Sequence, residues 1–214
     1  MRDKLFSFFI SQFGEATSQA NVPDETVAKF QGVLPDQLLS YWKSEGWCGY
    51  RHGLFWTVNP DDYADVLDMW LEDTPFEEID SYHVIARTAF GKLFAWGERT
   101  GPSLTVSCPI HSLIALEKDL KKPLVNPNHE VSMFFAGTTP DECDLKDESK
   151  RPMFERTLAK LGPPQSGEIY GFEPALVAGG RMTVDHLKKV NADIHLTILR
   201  QLSPPRIPFG TPKS

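Results

Sequence analysis

The 214-residue chain holds only three cysteines, Cys48, Cys108 and Cys143, and no CxxC pair. An odd, widely spaced set excludes a disulfide framework and a structural zinc site, and fits free thiols in a reducing compartment. The six histidines, His52, His83, His111, His129, His186 and His195, form no pair at metal-ligand spacing, and HExxH is absent. Metal hydrolysis of the common kinds therefore has no anchor. No Ser sits between glycines as a nucleophile elbow requires. Gly97-Glu98-Arg99-Thr100-Gly101 lacks the Lys-Ser/Thr that grips phosphate and magnesium, so it reads as a hairpin loop. No apolar run approaches the length of a membrane span. The apolar segment Leu5–Ile10 is short, follows Asp3, and precedes no small-x-small site, so it reads as an amphipathic helix and not as a signal peptide. The expectation is a cytoplasmic protein.

Positive charge is missing from one long window. No Lys or Arg occurs from His52 through Ala86, while Asp61, Asp62, Asp65, Asp68, Glu72, Asp73, Glu77, Glu78 and Asp80 fall inside it. Residues 1–149 carry 24 acids against 12 bases, and residues 150–214 carry 5 against 10. The net charge thus changes from −12 to +5 near Asp147–Lys150, within a total of −7. Such a shift suggests two units, here 1–145 and 146–214. If 60–71 is one helix, Asp61, Asp65, Asp68 and Glu72 share a side. Each like-charge pair then costs a few tenths of a kcal/mol, roughly. Acids near a helix N-terminus are also favoured by its dipole, and a solvated face accounts for them. The functional reading is a docking surface for a basic partner. The acidic total and the absence of a basic stripe argue against nucleic-acid binding.

The remaining pattern is α+β, with helices around an antiparallel sheet. Helices are expected over 3–13, from Asp24 to Phe30, and over 34–46. A further one starts with Asn59 as cap and Pro60 in the first turn. Tyr63, Val66, Leu67 and Trp70 form its buried stripe. Strands are expected over 54–58, 82–89, 93–97, 103–108 and 112–116. Residues 131–136 fit a strand or a short helix, 126–130 a turn, and 141–150 an acidic link. A helix over 151–161 ends at Gly162-Pro163-Pro164. Thr183 is the expected cap of a helix running to Leu202, followed by a loose or extended tail with Pro204, Pro205, Pro208 and Pro212.

Between these last helices lies Gly167-Glu168-Ile169-Tyr170-Gly171-Phe172-Glu173-Pro174-Ala175-Leu176, with Gly179-Gly180 after it. Glycines bracketing an apolar run point to turns or close backbone approach, and to packing instead of chemistry. Together with Leu161-Gly162 and the helix end Leu199-Arg200-Gln201-Leu202, this segment resembles the C-terminal domain of Tdi-type immunity proteins of bacterial type VI secretion. Leu34-Pro35 to Gly46, Gly53 to Pro60, and Tyr82 to Trp96 resemble the GAD-like domain that precedes it in those proteins. The resemblance implies a non-catalytic cytoplasmic protein. It would bind and neutralise a cognate toxin, a DNase effector whose phosphate-gripping surface is basic. It implies no cofactor, no metal and no catalytic residue, and it transfers no binding residue by position. The expected contact surface is therefore the acidic window on charge alone, and oligomeric state is left open. Two other readings stand beside it. One is a SUKH/SMI1-like interaction scaffold without a toxin. The other is a small hydrolase using Cys108 or His129.

Overall fold

The computed structural model describes residues 2–210; Met1 and the tail proline Pro212 lie outside the described residues. The elements in chain order are α1 (Lys4–Phe13), β1 (Ala16–Ala20), α2 (Asp24–Phe30), α3 (Asp36–Glu45), β2 (Trp47–Tyr50) and β3 (Phe55–Thr57). Then come α4 (Ala64–Leu71), α5 (Phe76–Ile79), β4 (Tyr82–Thr88), β5 (Lys92–Gly97), β6 (Gly101–Ser107) and β7 (Ser112–Ile114). The last are α6 (Glu117–Lys121), α7 (Pro127–Gly137), α8 (Pro140–Cys143), α9 (Phe154–Leu161), β8 (Glu168–Phe172), β9 (Leu187–Asn191) and α10 (Ala192–Leu202). Strands β1 to β7 pair antiparallel in sequence order as one sheet, and β8–β9 form a separate hairpin.

Alternation along the strands decides which helices cover which face. Phe55 packs into one core with Phe9, Phe13, Tyr41 and Phe135, the inward residues of α1, α3 and α7. Its neighbour Trp56 points the other way, into a core with Val66, Leu67 and Trp70 of α4 and Leu196 and Leu199 of α10. Both faces of the sheet are covered, so the molecule is a helix–sheet–helix sandwich. β4 serves both cores by alternation, and a bulge between Val84 and Ala86 accounts for two successive residues, Ile85 and Ala86, entering the first while Val84 joins the second.

The C-terminal part contributes to both layers. Ile169 enters the second core, while Tyr170 and Phe172 enter the first. The Tyr170 amide donates to the Ala89 carbonyl at 2.7 Å, which fixes the hairpin against the end of β4. Gly171 is required by close approach: a Cβ there would lie 2.6 Å from the His195 ring. At Gly180 a Cβ would stand 1.9 Å from the Pro174 carbonyl oxygen. The glycine-rich segment is thus a packing element, as expected.

Several expectations need correction. Strands β1 and β2 are absent from the sequence reading. Residues 60–71 are not one helix: a 3₁₀ turn, Pro60–Tyr63, ends at Tyr63 (φ −120°, ψ 2°), and α4 begins after it. Residues 126–130 are not a free turn. Asn126 caps α7, its Oδ1 accepting from the His129 amide at 3.1 Å. The 141–150 link is an ordered cap. Asp144 Oδ1 accepts from the Phe154 amide at 2.9 Å, and Asp147 accepts from the amides of Ser149 and Arg151. Thr183 opens no long helix. It precedes a 3₁₀ turn and β9, and Asn191 caps α10. The tail is extended but docked: the Leu113 amide donates to the Arg206 carbonyl, and the Arg206 amide to that of His111.

Candidate partner-binding surface

The nine acids of the basic-free window fall into distinct local settings. Asp61 and Asp62 sit in the 3₁₀ turn, where Asn59 Oδ1 accepts from the Asp61 amide at 3.3 Å. Lys29 of α2 reaches Asp61 at 2.6 Å, so that carboxylate is already paired. Asp65 and Asp68 lie on the exposed side of α4, opposite buried Val66, Leu67 and Trp70. Glu72 follows as the C-terminal cap, and the Arg200 guanidinium holds its backbone carbonyl at 3.1 Å, leaving the side chain exposed. Asp73, Glu77 and Glu78 are exposed around the start of α5.

Asp80 behaves differently. Its side chain is only 1% exposed and binds the β5–β6 loop, accepting from the Arg99 and Thr100 amides and the Thr100 hydroxyl. Asp80 is therefore a loop-organising residue, and the outward set is led by Asp65, Asp68, Glu72, Asp73, Glu77 and Glu78. The split of 60–71 takes Asp61 off the line shared by Asp65, Asp68 and Glu72.

The residues weighed for catalysis are placed unfavourably for it. Cys108 is fully buried, and burial raises its thiol well above the ordinary value. It has no poised thiolate. His129 is exposed in the first turn of α7. His83 Nε2 lies 2.9 Å from Glu98 Oε1, and its ring packs edge-on to Phe30. His186 and His195, expected on one helix, belong to a 3₁₀ turn and to α10. Among the described residues, no group of three or more His, Cys, Asp or Glu side chains is placed to hold a metal ion. Among the described residues no helix is long and apolar enough to cross a membrane.

Behind the acidic surface is a buried cation. Arg87 of β4 is 0% exposed. Its Nη2 donates to the Ser166 carbonyl at 2.5 Å and to that of Gln165 at 3.4 Å, and Nη1 to that of Thr88 at 3.3 Å. The guanidinium carbon stands 5.1 Å from the Trp56 ring centroid. Burial lowers its pKa, and the neighbouring Tyr63 hydroxyl partly opposes that. Arg87 thus ties β4 to the loop that leads into β8, the opening of the glycine-rich segment.

A cavity of about 480 Å³ adjoins this point. Its walls come from the edge strand β1, from Trp47, Trp56 and Tyr63, from Ser166 and Gly167, and from Asn191 to Asp193. Asp62 of the acidic window lines it as well. Sequence reasoning missed this site because it treated 183–202 as one helix. Asn191, followed three residues later by the amide it caps (Ile194, 3.0 Å), was the available signal. The α10 surface also exposes Ile194, Ile198 and Leu202, one apolar stripe at helical spacing that went unremarked in the periodicity.

Residues 4–110 match the GAD-like domain family, and residues 128–203 match the family described as T6SS immunity protein Tdi1, C-terminal. The chain belongs to the GAD-like family and carries a Tdi1-type immunity domain. Neither family is known for enzymes, and the second implies a type VI secretion immunity role with a toxin as partner. A solved structure, "Crystal structure of Atu4351 from Agrobacterium tumefaciens", shares the fold of this immunity protein at TM-score 0.82 and 22% identity, over 92% of this chain and 89% of that one. No curated protein matches it.

Two side chains give the protein a pH dependence. His195, half-buried against Gly171, has its pKa lowered by burial, with Glu173 opposing. The unfolded chain accepts a proton near pH 6.5, and the folded one resists it. Its stabilising contribution is therefore complete above that value and is lost as pH falls toward the lowered folded value. Thermal midpoints at pH 7.5 and 5.5 should fall further in the wild type than in His195→Gln; equal falls would refute the assignment. Asp147 acts lower. The Arg151 amide first, with Arg156 also contributing, holds it at about 2, so its contribution disappears only as pH drops below the ordinary carboxylate range.

Proposed function

We propose that this immunity protein binds and neutralises a cognate type VI nuclease toxin, a DNase, by covering a basic surface on it. The reading places it in the cytoplasm of the bacterium that makes the toxin. The observation that carries the proposal is the outward face of α4 and α5. It presents Asp65, Asp68, Glu72, Asp73, Glu77 and Glu78 with no Lys or Arg in the same stretch of chain. A nuclease surface that grips phosphate is the electrostatic complement. The reading divides the chain at 145/146 into two sequence units that share their cores. The buried Cys108 favours it over a hydrolase, and an adjacent nuclease gene separates it from a toxin-free scaffold.

Co-expression with the neighbouring nuclease tests the proposal, which fails if cells are not rescued. The triple variant Asp65→Lys, Asp68→Lys, Glu72→Lys should slow association by about tenfold or more at low salt. Stopped-flow or surface-binding kinetics would show it. An unchanged on-rate would remove this face from the interface.

A further inference from the structure

The cavity beside Tyr63 has the composition of a socket for a cation. Trp47, Trp56 and Tyr63 give it aromatic walls, and Asp62 and Asp193 place two carboxylates at it. No Lys, Arg or His lines it. Asp62 accepts only from the Asn59 amide group, at 3.2 Å, and Asp193 has no ion pair among the described residues. Both carboxylates are exposed, while Tyr63 and Trp56 are 6% and 4% exposed and fixed in the core.

The charges around Tyr63 support the same reading. Burial, the largest influence, pushes the Tyr63 hydroxyl up; Arg87 opposes this, and Asp62 and Asp193 reinforce it. Asp62 and Asp193 thus act on this hydroxyl from the cavity side, and Arg87 from behind it. Arg87 pairs with neither carboxylate: its two terminal nitrogens donate to carbonyls behind the wall.

We propose that this cavity receives an arginine side chain of the toxin, stacked on the aromatic wall and held by Asp62 and Asp193. Arginine suits the site better than lysine. Its planar fork can bond two carboxylates while its flat face meets the half-buried Trp47 indole, the Trp56 ring being already covered by Arg87. Arginine anchors seated in desolvated aromatic pockets commonly dominate protein interfaces. The cavity is large enough for the side chain and part of its backbone. The edge strand β1, exposed along Thr17 to Ala20, forms the adjoining rim. Asp62 makes the socket continuous with the acidic window, so electrostatic steering and anchoring would operate on one surface. The inference rests on the toxin-binding reading for the source of the arginine.

Two measurements test it separately. In the first, Nα-acetyl-arginine amide is titrated into the full chain while the indole N–H resonances of Trp47 and Trp56 are followed by NMR. Saturable shifts are expected, weakened at least tenfold in Asp62→Asn/Asp193→Asn, whose thermal midpoint should stay near wild type. Absence of shifts, equal shifts in the double variant, or a response to acetate in place of arginine would overturn the socket. In the second, the same variant is tested for toxin binding, with a tenfold or greater loss of affinity expected. Full binding by the variant, with wild type still protecting cells, would overturn the socket and leave the immunity role intact. Failure of wild type to protect would instead overturn the immunity reading, while the arginine titration still judges the cavity.

Discussion

Arg87→Ala should destabilise the protein by about 3–5 kcal/mol, the upper part of the range for truncating a large, fully buried side chain, because a buried carbonyl also loses its donor. The side chain is fully buried and donates to three backbone carbonyls; those of Thr88 and Gln165 also accept from the Gly91 and Glu168 amides, so the Ser166 carbonyl is the one that relies on it. Truncation leaves the Ser166 carbonyl unpaired and a void under Trp56, where the guanidinium now stacks. The loss should fall first on the junction with Gln165 and Ser166, since these carbonyls belong to the loop entering β8. Urea denaturation gives the magnitude. Hydrogen exchange at Ile169 to Phe172 gives the location. Arg87→Met separates the two causes. It refills the volume without bonding, so recovery of most of the loss would assign the effect to packing. A change under about 1 kcal/mol in the alanine variant would show that the Ser166 carbonyl is resolvated cheaply.

Trp70→Ala is the second large effect, also about 3–5 kcal/mol for a fully buried indole. Trp70 belongs to α4 but is bonded to α10: its Nε1 donates to the Leu196 carbonyl at 3.1 Å. Its ring lies 5.4 Å from that of His111, which contacts the Leu199 carbonyl through Nε2 at 2.6 Å. Two aromatic side chains thus hold successive turns of one helix. Removing the indole releases α10 from the helix that carries Asp65 and Asp68, so protection in co-expression should fall along with stability. Trp70→Phe keeps most of the volume and loses only the N–H. It should cost about 1–2 kcal/mol, and protection should persist. Equal damage from Phe and Ala would place the whole effect in the hydrogen bond.

These two residues also mark how far the sequence could be read. Trp70 was legible, because Tyr63, Val66, Leu67 and Trp70 recur at helical spacing and all prove buried. The α1 and α3 helices and the β4–β5–β6 meander were legible for similar reasons: apolar periodicity, glycine stops and short hairpin loops. Strand β1 was not, because Ala16-Thr17-Ser18-Gln19-Ala20 has no apolar alternation. It is a sheet-edge strand made by pairing with β2, a tertiary decision that local pattern does not record. Strand β9 failed for the opposite reason. Leu187-Lys188-Lys189-Val190 is compatible with a helix, and only pairing with β8 makes it extended. The acids could be found by counting, but their orientations could not. Asp80 turned inward because the β5–β6 loop offers amides to it, and only the fold brings Asp62 and Asp193 to one cavity.

The bond between Trp70 and Leu196 spans 126 residues. A ribosome adds about 5–20 residues per second, so the indole exists for roughly 6–25 s before its acceptor has been made. The second core cannot close until α10 has left the exit tunnel. One face of the sheet therefore waits, part-covered, for α10. On the toxin-neutralising function proposed above, the chain has to be finished before the toxin is. This topology sets a minimum delay between the start of translation and the first protected moment, and it favours starting synthesis of the guard ahead of the toxin.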